Sequence, residues 1–205
     1  MRNVTKRRAG IFGAGLALTL LASCATSRLV SQQSNPDYVG KSFKSVMVVA
    51  VTQDELIRRT YEDRMVALLG RRGTKGIPAY AAVGSRGQVE EAELRQAVAK
   101  SGAEGVLVTR VTRVDRSSGT VPGATVMVGV GFYGYYSTVW QTVEVAPQKV
   151  TGPSWTVSET RLFDAKSGAL AWTGVMDTRE NDDLGAALTQ YINVIFDAMV
   201  SDRVL

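Results

Sequence analysis

Segments typical of buried strands alternate with segments typical of amphipathic helices through the first half of the folded region. The strand-like segments are 46–51, 77–83 and 106–114, and the helical segments are 57–68 and 88–101. Pro78 lies in the second strand segment, which favours a position at a sheet edge. Because strands separated by helices are joined by crossover connections, this order predicts a sheet that is partly parallel.

The carboxyl-terminal third predicts a β-hairpin followed by a long helix. Residues 155–164 and 169–178 have strand character, and Asp164 and Gly168 bound a turn that needs one left-handed residue. An apolar stripe then runs from Leu184 to Met199 at helical spacing. We therefore predict an α/β (α+β) fold with a mixed sheet of about five strands. Two crossover helices and a C-terminal helix pack on it, in the order β-α-β-α-β-(insert)-β-β-α.

The amino-terminal segment predicts export from the cytoplasm. Three basic residues precede an apolar run of 13 residues, 9–21, which is shorter than the roughly 20 residues of a membrane-spanning helix and typical of a secretory signal. The run ends in Leu-Ala-Ser before Cys24, the single cysteine of the chain. This ending resembles a lipobox, which implies removal of residues 1–23 and acylation of Cys24. The alternative is a soluble periplasmic protein whose signal contains a cysteine.

The residues after the cysteine refine the expected location. Ala25 and Thr26 follow Cys24, with no aspartate; the resemblance to bacterial lipoproteins then implies the outer membrane, facing the periplasm. Residues 24–40 are polar and aperiodic, so we expect the lipidated cysteine and a flexible tether. Residues 41–205 are expected to form a single α/β domain with a Gly/Tyr-rich insert at 115–153.

Composition after signal removal excludes several classes of function. The full chain carries a net charge of +5, but four basic residues leave with the signal, so that 20 basic and 19 acidic residues remain. No basic excess is left to indicate nucleic-acid binding. The chain has no histidine, and acylation would consume its cysteine thiol. Histidine-dependent nucleophile systems and His/Cys zinc sites are therefore excluded, and no catalytic residue, metal or cofactor is predicted.

The insert at 115–153 interleaves glycine with aromatic residues. It contains Gly129-x-Gly131-x-x-Gly134, which matches a dinucleotide-binding pattern in spelling, but the residues that follow favour strands instead of the required helix. Three interpretations remain: a long hairpin or loop packed on the domain, a partner-binding surface, or a membrane-inserting hairpin. The second would expose the four aromatic residues Tyr133, Tyr135, Tyr136 and Trp140.

Two acidic groupings have both structural and functional interpretations. Asp177, Glu180, Asp182 and Asp183 lack the spacing of a calcium loop, and we expect helix capping instead. Glu159 and Asp177 could be the two carboxylates of a glycan hydrolase, which must flank one bond in one cleft. A solvated strand face would explain them equally well.

The order of these pieces resembles a group of small Gram-negative envelope lipoproteins. The similarity is carried by 45–49, by 101–108 and by the hairpin at 162–172. It covers roughly 43–113 and 155–200, and is to the amino-terminal domain of TolB and to the curli-secretion lipoprotein CsgG. It implies an α/β domain that acts in envelope assembly, secretion or activation of peptidoglycan synthases, with no catalytic residues.

Together these features predict a non-enzymatic lipoprotein of the outer membrane. We expect its domain to be a periplasmic binding or scaffolding module for another envelope protein, with the membrane contacted through the lipid on Cys24. The alternatives are a subunit of a CsgG-like secretion or export complex and the carboxylate-dependent glycan hydrolase.

Overall fold

A mixed β-sheet with helices on both faces forms the centre of the computed structural model, which describes residues 27–84, 90–115, 131–139, 144–145, 155–179 and 183–205. The strands are β1 (Ser27–Ser34), β2 (Ser45–Val51), β3 (Lys75–Pro78), β4 (Gly105–Asp115), β5 (Glu144–Val145), β6 (Trp155–Asp164) and β7 (Leu170–Arg179). The helices are α1 (Glu55–Arg71), α2 (Ala79–Val83), α3 (Glu91–Ser101), α4 (Phe132–Val139) and α5 (Leu184–Ser201).

The sheet order is β1-β7-β6-β4-β2-β3, with the short β5 paired to the end of β4. Strands β2, β3 and β4 are parallel, whereas β4, β6, β7 and β1 pair antiparallel. The predicted mixed sheet with crossover helices is therefore confirmed. The prediction of about five strands omitted β1 and β5. The predicted strand over 77–83 is wrong for residues 79–83, which form α2.

Two apolar layers flank the sheet. Helices α1 and α5 cover one face, where Met65, Trp172 and Ile195 are fully buried. Helices α2, α3 and α4 cover the other face, with Leu94 and Phe132 at its centre. Strand β2 is apolar from residue 46 to residue 51, as expected for a strand with helices on both faces.

The prediction of a flexible tether over 24–40 is wrong for residues 27–40. Residues 27–34 form β1, which pairs with β7 along its whole length, and Asn35 N–H donates to Ala171 O at 2.9 Å. A sequence this polar forms a strand because an edge strand needs only one neighbour and keeps most side chains in water. The described domain therefore begins three residues after Cys24.

The prediction of strand instead of helix at the glycine pattern is also wrong, since residues 132–139 form α4. Phe132, Tyr135 and Tyr136 share one face at helical spacing, and that face packs on the sheet. Burial of these rings outweighs the low helix propensity of aromatic residues and of Gly134. Of the rest of the insert, residues 116–130, 140–143 and 146–154 lie outside the described residues.

Candidate functional site

A cavity of about 300 Å³ opens between the sheet and the amino-terminal halves of α1 and α5. It lies where β2 and β4 run towards their carboxyl ends, a common location for ligand sites in sheets with parallel strands. Aliphatic side chains and backbone form most of its wall. The principal apolar contributors are Ala50, Ile57, Val111, Leu184, Ala187 and Leu188.

Hydroxyl groups form the floor of this cavity. The Tyr61 hydroxyl pairs with Thr109 Oγ1 at 2.6 Å, and Thr109 pairs with Thr160 at 2.8 Å. Thr160 in turn lies 3.0 Å from the Tyr191 hydroxyl. These groups belong to α1, β4, β6 and α5, so the chain of hydroxyls ties both helices to the sheet.

The Ser158 hydroxyl is the unusual member of the floor. Ser158 is 5% exposed, lines the cavity, and lies beside the Tyr191 hydroxyl, whose pKa it lowers, although its Oγ makes no hydrogen bond of standard geometry among the described residues. A hydroxyl group can accept and donate at once, so Ser158 can interact with Tyr191 and still donate to a ligand group in the cavity.

The two tyrosines of the floor remain protonated and neutral. Burial raises the pKa of Tyr61, and the neighbouring Tyr191 raises it further. Burial also raises the pKa of Tyr191, against the opposing effect of its hydroxyl neighbours. Because the floor offers uncharged hydroxyls between aliphatic walls, it is suited to holding an apolar group that carries a hydrogen-bonding function.

A second buried cluster lies on the opposite face of the sheet. The Glu159 carboxylate accepts hydrogen bonds from Arg161 at 2.6 and 2.8 Å and from Arg110 at 3.2 Å. The Tyr135 hydroxyl donates to Glu159 Oε2 at 3.0 Å, and the Arg161 guanidinium lies 4.4 Å from the centre of the Tyr135 ring. Burial and the adjacent Glu159 carboxylate raise the pKa of Tyr135. The cluster joins α4 to the sheet.

The expectation that the insert exposes its tyrosines is therefore wrong for Tyr135 and Tyr136, which are 2% and 3% exposed. Their aromatic rings are needed to cover Phe163 and the sheet. Tyr133 is half-buried, and the Arg95 guanidinium of α3 lies 3.5 Å from the centre of its ring. Trp140 lies outside the described residues, as does Cys24.

The two carboxylates considered for glycan hydrolysis are both buried in ion pairs. Asp177 is fully buried and binds Arg28 at 2.8 Å, while Glu159 is held by the two arginines described above. Neither lines the cavity. The geometry therefore gives no support to an acid and a base placed across one cleft.

Two members of the remaining acidic grouping, Asp177 and Asp183, lie among the described residues. Asp183 accepts a hydrogen bond from Ala186 N–H at 2.9 Å, so the predicted capping role is confirmed at this position. Glu180 and Asp182 lie outside the described residues. Within the described ranges, no three acidic or other metal-binding side chains converge on one point, and no helix is both long and apolar enough to span a membrane.

Comparison with solved structures gives matches of low identity and low TM-score. The PelC dodecamer of Paraburkholderia phytofirmans is 13% identical, with a TM-score of 0.45 and coverage of 86% of this chain and 97% of that one. Lipoprotein GNA1162 from Neisseria meningitidis is 16% identical, with a TM-score of 0.41 and coverage of 77% and 98%. No protein-family model and no curated protein matches the chain. These similarities carry no functional assignment, and the finer resemblance to TolB and CsgG stays a prediction.

Proposed function

We propose that the chain is an outer-membrane lipoprotein, held by acyl groups on Cys24, with its α/β domain in the periplasm. The domain acts as a non-enzymatic binding or scaffolding module for another envelope protein. The main observation in support of this proposal is the position of β1, which begins at Ser27. Three extended residues span at most about 10 Å, so an anchor on Cys24 holds the domain against the bilayer surface in a restricted orientation.

The half-buried Tyr133 side chain supports a partner-binding role on the face opposite the cavity. Arg95 and Phe132 hold this ring in place, Phe132 with a ring-centroid distance of 4.7 Å. A rigid aromatic residue beside an arginine is typical of the residues that dominate binding energy at interfaces. The chain has no histidine, and its single cysteine would be acylated, so its composition is consistent with a binding role.

The anchor is tested by mass spectrometry of the mature amino terminus from envelope fractions. We expect an acylated Cys24 as the first residue, and the Cys24→Ala variant to lose acylation and membrane retention. A native chain that still carries Ser23 and has no acyl group would overturn the proposal.

The partner surface is tested by photo-crosslinking in cells. A photoreactive phenylalanine analogue in place of Tyr133 should capture one discrete envelope protein. The same analogue in place of Ala67, an exposed position on α1 over the other face of the sheet, is the matched control. Equal patterns from the two positions, or capture at neither, would contradict a binding surface at Tyr133.

A further inference from the structure

The chain enters the fold at the rim of the cavity. Ser27 Oγ lies 3.1 Å from Thr178 Oγ1, and Thr178 lines the cavity. Ser27 N–H donates to Gln190 Oε1 at 3.3 Å, and Gln190 is adjacent to the cavity residue Tyr191. The first described residue is therefore fixed beside the opening by contacts with both β7 and α5.

Apolar side chains are exposed at the same end of the domain. Leu184 is 54% exposed and Val111 is 36% exposed, and both line the cavity. Leu56, which is 74% exposed, precedes the cavity residue Ile57 in the first turn of α1. Single exposed leucines are ordinary, but a group of them around an apolar opening indicates contact with an apolar partner.

We propose that this cavity binds one acyl chain of the lipid on Cys24, while the other chains insert into the bilayer. The inference rests on the proposed function, because it requires acylation of Cys24. The reach suffices, since Cys24 lies three residues, or at most about 10 Å, from Ser27 at the rim. A tethered chain is present at high effective concentration, so even a modest preference for the cavity keeps it occupied.

The chemistry of the cavity fits this occupant. The volume of about 300 Å³ is at the lower end of ligand pockets, which suits part or all of a single aliphatic chain. The aliphatic walls match the hydrocarbon, and the floor is uncharged. The buried Ser158 hydroxyl lines the cavity beside Tyr191 and can donate to an ester or amide carbonyl of the lipid.

Binding of an acyl chain is tested first with a fluorescent fatty acid and the unacylated mature chain carrying Cys24→Ala. We expect saturable binding that Val111→Trp, at the rim, weakens at least tenfold. Val39→Trp is the matched control, since Val39 has nearly the same exposure (37%) and is not in the cavity wall. Circular dichroism establishes that both variants are folded. Absence of saturable binding, or equal affinities in the two variants, would overturn the inference.

A second experiment, in the acylated protein, tests whether the bound acyl chain belongs to the lipid on Cys24. A photoreactive phenylalanine analogue in place of Leu184 should crosslink to the amino-terminal lipopeptide of the same molecule, and the analogue in place of Val39 should not. Crosslinking to other lipids only would overturn binding of the chain's own anchor. If mass spectrometry finds Cys24 acylated while these crosslinks are absent, the inference fails and the proposed anchor stands. An unacylated native Cys24 would contradict both the inference and the proposed anchor.

Discussion

Glu62 of α1 accepts a hydrogen bond of 3.0 Å from the backbone N–H of Ala50 near the end of β2. Its second oxygen accepts from the Tyr80 N–H at 2.9 Å, in the first turn of α2. One fully buried carboxyl group thus ties a helix on one face of the sheet to a helix on the other. Burial raises the pKa of Glu62 from 4.5 to about 7, against the opposing effect of these N–H donors.

The first prediction concerns the pH dependence of stability. A folded-state pKa above the unfolded value means that the folded state binds more protons between pH 4.5 and about 7. The contribution of protonated Glu62 to the free energy of unfolding is therefore complete below pH 4.5 and is lost as the pH rises through about 7. Between these limits, the wild-type protein should lose up to about 3 kcal/mol of unfolding free energy relative to Glu62→Gln.

Urea unfolding of both proteins across this pH range measures the difference. The amide of Glu62→Gln does not titrate, so this variant should lack the fall in stability that wild type shows between pH 4.5 and about 7. Below pH 4.5 it should be less stable than wild type, because an amide has one acceptor oxygen for two N–H groups. Glu55→Gln, at an exposed position on the same helix, is the control and should follow the wild-type profile. Parallel profiles for wild type and Glu62→Gln would contradict the assignment.

The second prediction concerns Gly174 in β7. A Cβ at this position would overlap the ring of Trp172, which is fully buried. Gly174→Ala should therefore lower the free energy of unfolding by about 1–3 kcal/mol, the usual cost of overpacking. Gly70→Ala is the matched control: a Cβ there meets nothing within 4 Å, and alanine in α1 should add about 0.5–1 kcal/mol. In thermal unfolding, Gly174→Ala should therefore lower the midpoint temperature and Gly70→Ala should raise it.

The third prediction separates charge from hydroxyl in the Glu159 cluster. Glu159→Ala leaves the buried Arg161 without its carboxylate partner and should cost about 3–5 kcal/mol. Tyr135→Phe removes one hydrogen bond and should cost about 1–2 kcal/mol. Glu91→Ala breaks the exposed pair with Arg95 and should cost less than about 1 kcal/mol. Denaturant unfolding that gave similar losses for all three would contradict this ranking.

Continuous apolar runs and apolar periodicity identified the elements that bury many side chains. Strand β2, helices α1, α3 and α5, and the β6–β7 hairpin were all predictable, and the hairpin turn has its left-handed glycine at Gly168. The edge strand β1 was not, because its pairing depends on backbone hydrogen bonds that leave no apolar pattern. In α4, spacing at Phe132, Tyr135 and Tyr136 was the available signal, and it was obscured by the surrounding glycines.

The cavity could not be predicted from any motif. Its hydroxyl floor combines Tyr61, Thr109, Ser158 and Tyr191, which lie on four different elements and share no spacing in the sequence. Only the strand register brings Thr109 opposite Thr160, and only the packing of α1 and α5 brings the two tyrosines together, with ring centroids 6.2 Å apart. The covalent anchor at Cys24, by contrast, depends on contiguous residues, and this is why it could be predicted.

The last prediction concerns Asp202, the C-cap residue of α5. Its carboxylate accepts from the buried Trp172 indole N–H at 2.8 Å, and also from Gln32 and Ser34 of β1 at 2.9 and 3.0 Å. Asp202→Ala leaves the indole N–H unsatisfied and loosens β1, which should cost about 1–3 kcal/mol. Asp197→Ala, at an exposed position on α5, should change the stability by less than about 0.5 kcal/mol.

Hydrogen exchange locates the effect of Asp202→Ala. Protection of the β1 amides should fall more than that of β2, because β1 is an edge strand and these side-chain bonds tie its carboxyl-terminal half to the end of α5. A uniform loss across the sheet would show that Asp202 supports the whole core, and no loss at β1 would contradict its role in holding this strand.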